Sequence, residues 1–178
     1  MGNIVSGLVG REALISKSLI GLNLNQLRHF YSVIQNLLKS LTLTAEEFIE
    51  IFKCECFSIW DIDNNGLISP LEVMAGLAML SNTSARDKFK LLFFMFDFNK
   101  EHEITICDLQ VILHLSVLSI CKIFGYFKDI GTHDITEITR GYDSNSKIDL
   151  PEMLEICLKN SNILYFLTIC DILRTSNR

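Results

Sequence analysis

A chain of 178 residues with 49% apolar side chains, 21 acidic groups against 16 basic ones and a net charge of −5 is long enough for one domain or two small ones, and it can bury a real core. Nine glycines and two prolines exclude a collagen-like or linker-type chain, and apolar content this high at modest charge excludes a disordered tail. Mild acidity, pI about 5.3, argues against nucleic acid as a partner, because a phosphate backbone calls for a basic face.

The chain opens MGNIVS, in which Gly2 and Ser6 stand at the spacing of an N-myristoylation signal. Gly7 replaces the usual basic residue, which leaves acylation open. One acyl chain gives only marginal membrane binding, and Arg11 and Lys17 are a thin basic supplement, so any membrane contact through Gly2 is expected to be reversible. Helical periodicity then dominates. Leu27, Phe30, Tyr31, Ile34, Leu37 and Leu38 form one stripe over Asn25 to Leu38, and the spacing returns in Phe48, Ile51, Phe52, in Phe89, Leu92, Phe93, Phe96, and in Met153, Ile156, Cys157. No strand alternation exceeds a few residues, so the expected class is all-α.

Four helix starts share a signature. Thr44-x-x-Glu47, Ser69-x-x-Glu72, Thr105-x-x-Asp108 and Asp149-x-x-Glu152 each set a capping oxygen three residues before a carboxylate. An apolar residue precedes each cap (Leu43, Ile68, Ile104, Ile148), which points to a repeated unit.

One copy reads DIDNNGLISPLE, Asp61 to Glu72. A hard cation such as Ca2+ takes six to eight oxygens in flexible geometry, and twelve residues with acceptors at alternate positions can wrap around it. Asp61, Asp63 and Asn65 supply side-chain oxygen, Leu67 a carbonyl, and Ser69 an oxygen that can bridge through water; Glu72 can give both of its oxygens. Gly66 stands where the chain must turn at positive φ. This loop, with Phe57 and Trp60 before it and Phe93 and Phe96 likewise before Asp97, resembles the EF-hand family. With the myristoylation-like start, the arrangement is similar to that of neuronal calcium sensors and the calcineurin regulatory subunit.

The other copies depart from that pattern. Asp97 to Asp108 keeps Asp97, Asn99, Glu101, Glu103 and Thr105 but has His102 in the glycine position and the shorter Asp108 at the end, so both a weak Ca2+ or Mg2+ site and a purely structural loop stay open. Gly141 to Glu152 retains Asp143, Asn145, Asp149 and Glu152 with Gly141 in the first ligand place, and is expected to be empty. Asn36 to Glu47, with Leu38 and Leu41 where oxygen or glycine belongs, is expected to serve only as a pairing partner.

An isolated helix-loop-helix cannot bury its own apolar face, so the resemblance implies two EF-hand pairs, each joined by a short β-bridge: Leu43 with Ile68, and Ile104 with Ile148. The polar run Ser81 to Ser84 is the expected boundary. The division is then an N-terminal arm over 1–23, a first pair over 24–82, a second over 83–161, and a C-terminal helix over 162–178. That helix, Asn162 to Arg174, either fills its own lobe's groove or presents Leu164, Phe166, Leu167 and Leu173 outward.

Six cysteines sit in apolar helical runs without a CxxC pair, where free thiols act as small hydrophobes, and a cytoplasmic compartment with optional peripheral-membrane or cytoskeletal association is the expectation. The apolar runs Leu109 to Cys121 and Ile163 to Leu173 read as too short or too interrupted to cross a bilayer. A mean hydropathy of +0.30 fits either a Leu-, Ile- and Phe-rich core or an apolar groove that receives a target helix. His29, His102, His114 and His133 have no nucleophile or carboxylate constellation around them, so no enzyme is expected. Two functions remain: a Ca2+-responsive adaptor with one ion in the second hand that binds a helical segment of a target protein, or a constitutive structural subunit of a phosphatase, kinase or cytoskeletal assembly.

Overall fold

The computed structural model describes residues 19–37, 42–53, 56–61, 64–124 and 132–176. Over these residues the chain is mostly helical with one small sheet. In order come α1 (Leu24–Leu37), α2 (Ala45–Phe52), a short 3-10 turn (Phe57–Ile59), α3 (Pro70–Met79), α4 (Ala85–Phe96), β1 (Glu103–Thr105), α5 (Ile106–Phe124), α6 (Thr132–Ile138), β2 (Lys147–Asp149), α7 (Leu150–Lys159) and α8 (Ser161–Ser176).

The helix starts follow from side-chain oxygens. Backbone N–H groups in the first turn of a helix have no partner within it, and a capping oxygen supplies one. Thr44 Oγ1 accepts from Glu47 N at 3.4 Å, Ser69 Oγ from Glu72 N at 3.4 Å, Thr105 Oγ1 from Asp108 N at 3.1 Å and Asp149 Oδ1 from Glu152 N at 2.9 Å. All four expected caps are therefore present. A fifth and a sixth, Asn23 before α1 and Ser84 before α4, work the same way.

The residues preceding the caps pair across the molecule. Leu43 and Ile68 form an isolated antiparallel bridge, with Leu43 N donating to Ile68 O at 2.8 Å and Ile68 N to Leu43 O at 3.0 Å. Ile104 faces Ile148 in the antiparallel pair β1–β2. All four side chains are buried, so each bridge adds apolar contact to its backbone bonds.

The stripe residues meet in one core that includes Leu27, Phe48, Phe89, Leu92, Phe93, Met153 and Cys157. α3 is enclosed nearly all round; only Leu71 among its residues is not fully buried. Its main neighbour is α5, which crosses it where Gly76 meets Ser119. The run Ser81 to Ser84 is a built-in turn: Ser81 is fully buried, its Oγ donates to Ala78 O at 2.6 Å, and Asn82 N donates to Leu22 O at 2.9 Å.

Two expectations need correction, and a third, left open between two courses, is narrowed. Cys56 is disulfide-bonded, and Cys107 is exposed, so the cysteines are not uniformly packing thiols; Cys157 and Cys170 do lie in the core. The helix containing Leu109 to Cys121 runs 19 residues and, by length and composition alone, is long enough to cross a bilayer. Here one face of it is buried in the protein through Leu109, Ile112, Ser116, Ser119 and Ile123. Of the two courses open to the C-terminal helix, the wholly outward one is not taken: Leu167 is buried with Ile163 and Cys170, Phe166 and Leu173 pack partly against the core, and Leu164 is exposed with Tyr165 and Ile172.

Candidate metal site

The loop between the 3-10 turn and α3 is shaped by its first acid. Asp61, buried at its start, accepts from Asn65 N at 3.0 Å on Oδ1 and from Gly66 N at 3.1 Å on Oδ2, which pulls the chain around the carboxylate. Asn65 Oδ1 accepts from Leu67 N at 2.8 Å. Gly66 takes φ +77°, the left-handed region that a side chain would strain, and Asn64 takes φ +54°. Asp63, expected as a ligand, lies outside the described residues, as does Gly2.

Glu72 closes the loop from the first turn of α3 and is buried. The acids in the matching places bend back on their own helix caps: Glu47 accepts from Thr44 N at 2.9 Å, Asp108 from Thr105 N at 2.8 Å and Glu152 from Asp149 N at 2.9 Å. Glu72 makes no such return bond; its Oε1 lies 2.7 Å from Lys122 Nζ in the last turn of α5. That ion pair is the one partner of Oε1 among the described residues. Lys122 Nζ also donates to the carbonyl of Trp60 at 3.0 Å, and Ser119 Oγ donates to the carbonyl of Glu72 at 2.5 Å.

A buried acid free of its own helix cap, a second buried acid at the loop start and Asn65, Ser69 and carbonyl oxygens between them make a donor set that suits a hard cation. Among the described residues no three His, Cys, Asp or Glu side chains cluster as a ready-made ligand group. Asp61, Asn65, Leu67, Ser69 and Glu72 share the loop, and Glu72 is held by Lys122.

Asp97 to Asp108 repeats the backbone of that loop. Asp97, also buried, accepts from Glu101 N at 3.0 Å and His102 N at 3.1 Å, and Lys100 and His102 take φ +59° and +62°, the places filled by Asn64 and Gly66 in the other loop. Its remaining acids are engaged. Lys147 Nζ, reaching from β2, lies 2.9 Å from Glu101 and 3.2 Å from Glu103. The hydrogen bond and charge of Lys147 hold the Glu101 carboxyl below its ordinary range, and Glu101 in turn raises Lys147. Asp108 Oδ2 accepts from both the N–H and the hydroxyl of Thr105, and Asn99 is exposed. In the fourth copy Gly141 takes φ +93°, and Asp143 accepts from Asn145 N at 3.0 Å. Leu38 and Leu41 of the first copy lie outside the described residues.

Sequence reasoning missed both lysines. Lys122 closes an apolar helical run and carries no local mark of its distant partner; Lys147 precedes Ile148, and a strand register was needed to set it beside Glu101 and Glu103. No protein-family model matches the chain, and no curated protein matches it in sequence.

Proposed function

We propose that this chain is a calcium-binding protein of EF-hand type, four helix-loop-helix units in two pairs with one Ca2+ site at Asp61 to Glu72, and that it binds a helical segment of a target protein in a Ca2+-responsive way. The observation that carries the reading is the buried Glu72, which does not turn back on its helix cap as Glu47, Asp108 and Glu152 do, at the end of a loop already wound about Asp61. The bridges Leu43–Ile68 and Ile104–Ile148 support the pairing of the units.

Asp61, Asn65 and Glu72 would hold the ion with Asp63, the Leu67 carbonyl and Ser69. When bound, Ca2+ supplies a double positive charge that compensates acids whose burial is otherwise costly. Glu72 sits on α3, and α3 is clasped by α5 through Ser119 and Lys122, so a change in how Glu72 is held reaches α5 directly. Leu113 and Val117 of α5 line a cavity of about 350 Å3 with Phe89, Ile135, Ile163 and Phe166. Apolar walls of this kind suit the apolar face of a helix.

A second reading, a constitutive structural or regulatory subunit in which Ca2+ only stabilises, is favoured by α3 being already covered by α5. Calorimetric titration of the decalcified chain with Ca2+ tests the first reading: one binding event is expected in the wild type and none in Glu72→Gln. A dye for exposed apolar surface then separates the two readings, since only the switch changes its signal on Ca2+ uptake.

A further inference from the structure

The cation that Glu72 faces in this structure belongs to the protein itself. We infer that the Lys122 ammonium and a divalent cation are mutually exclusive occupants of the Glu72 carboxylate, so that Lys122 is a built-in competitor that sets the affinity of the site and ties its filling to α5. The inference rests on the metal reading above and goes beyond it in naming what must leave.

The geometry is specific. Lys122 Nζ lies 2.7 Å from Glu72 Oε1 and 3.0 Å from the carbonyl of Trp60, the residue before Asp61, so the ammonium sits between the beginning and the end of the loop. Both side chains are largely withdrawn from water, 14% and 9% exposed, where a charge pair is screened little and an unpaired charge is costly. For both oxygens of Glu72 to face an ion in the loop, the carboxylate must give up Lys122, and a divalent charge placed there repels the ammonium at short range. The stem of Lys122 belongs to the last turn of α5, one turn from Ser119, whose hydroxyl bonds the Glu72 carbonyl. Withdrawal of Lys122 therefore removes one of two polar fastenings between α3 and α5 and leaves the other in place. Without the ion, the same pair compensates the buried charge of Glu72.

The experiment titrates Ca2+ calorimetrically into the decalcified full chain as wild type, Lys122→Gln, Lys122→Met and Glu72→Gln. Gln keeps a donor for the Trp60 carbonyl and loses only the charge; Met keeps the length and loses both, so the pair remains informative if one variant does not fold. Both neutral variants are expected to take up Ca2+ at least about tenfold more tightly than wild type, because the competitor is gone. Uptake by the neutral variants with none measurable in wild type supports the inference in its strongest form. If the neutral variants bind with wild-type affinity or more weakly while Glu72→Gln abolishes uptake, the competition is overturned and the metal reading stands. If no variant and no wild type takes up Ca2+, both are overturned.

Discussion

Gly76 of α3 faces Ser119 of α5 so closely that a methyl group on Gly76 would sit 2.7 Å from Ser119 Cβ and 2.9 Å from the edge of the Trp60 ring. Neither neighbour is the far end of a flexible chain, so the crossing itself has to open to admit a side chain. Gly76→Ala gains about 1 kcal/mol of helix propensity but loses about 1–3 kcal/mol to overpacking. We expect a net loss, and a larger one for Gly76→Val, read as a lowered midpoint in urea. A stabilised Gly76→Ala would show that the two helices part easily at this crossing.

Lys88 supplies a prediction in pH. It is buried, its Nζ donates to the Met79 carbonyl at 2.5 Å, and Asp171 of α8 lies 3.7 Å away. Burial holds its pKa below the ordinary lysine value, with Asp171 only partly opposing. Between the folded and unfolded values the unfolded chain therefore binds more protons, and stability contributed by this residue rises as pH rises through that window. Melting curves of wild type and Lys88→Met from pH 7 to pH 10 should show wild type gaining on the variant as pH increases. A gap that is constant or widens in the variant's favour would contradict the assignment.

The thiols should sort by depth. Burial pushes Cys157 and Cys170 up to about 12, while Cys107 is exposed. Alkylation needs the thiolate and access to it. Brief treatment with iodoacetamide at pH 8, followed by peptide mapping, should label Cys107 and leave Cys157 and Cys170 untouched until denaturant is added; labelling of Cys157 in the native chain would mean that α7 opens readily.

His102 should be dispensable to the fold. It holds φ +62° with an exposed side chain, and its Nδ1 lies 4.0 Å from Asp97 Oδ2. Replacing it with glycine removes strain of roughly 1 kcal/mol, partly offset by the greater freedom of glycine in the unfolded chain. A thermal melt of His102→Gly is expected to shift slightly upward.

What was legible in the sequence was local or strictly repeated. Thr44, Ser69, Thr105 and Asp149 could be read as caps because the bond each one makes spans three residues, and the bridge partners Leu43–Ile68 and Ile104–Ile148 followed from their equal places before those caps. The turn at Asp61 was readable because Gly66 is needed where φ is positive. The pairing of Glu72 with Lys122 was not, since nothing near either residue records which helix ends against which loop. The closeness of α3 and α5 was hidden for the same reason: Gly76 looks like an ordinary small residue until Ser119 is set against it. At Cys56 composition misled, because an apolar setting reads the same for a thiol and for half of a disulfide.

The double use of the acid three places after each cap bears on how such a chain can diverge. Glu47, Asp108 and Glu152 spend their carboxylates on the start of their own helices, while the equivalent Glu72 does not. In each of these three units the carboxylate thus closes the first turn of the helix it belongs to, and the helix start is secured within four residues of chain. A substitution elsewhere in such a loop leaves this fastening untouched, so the helix start and the loop before it can vary independently.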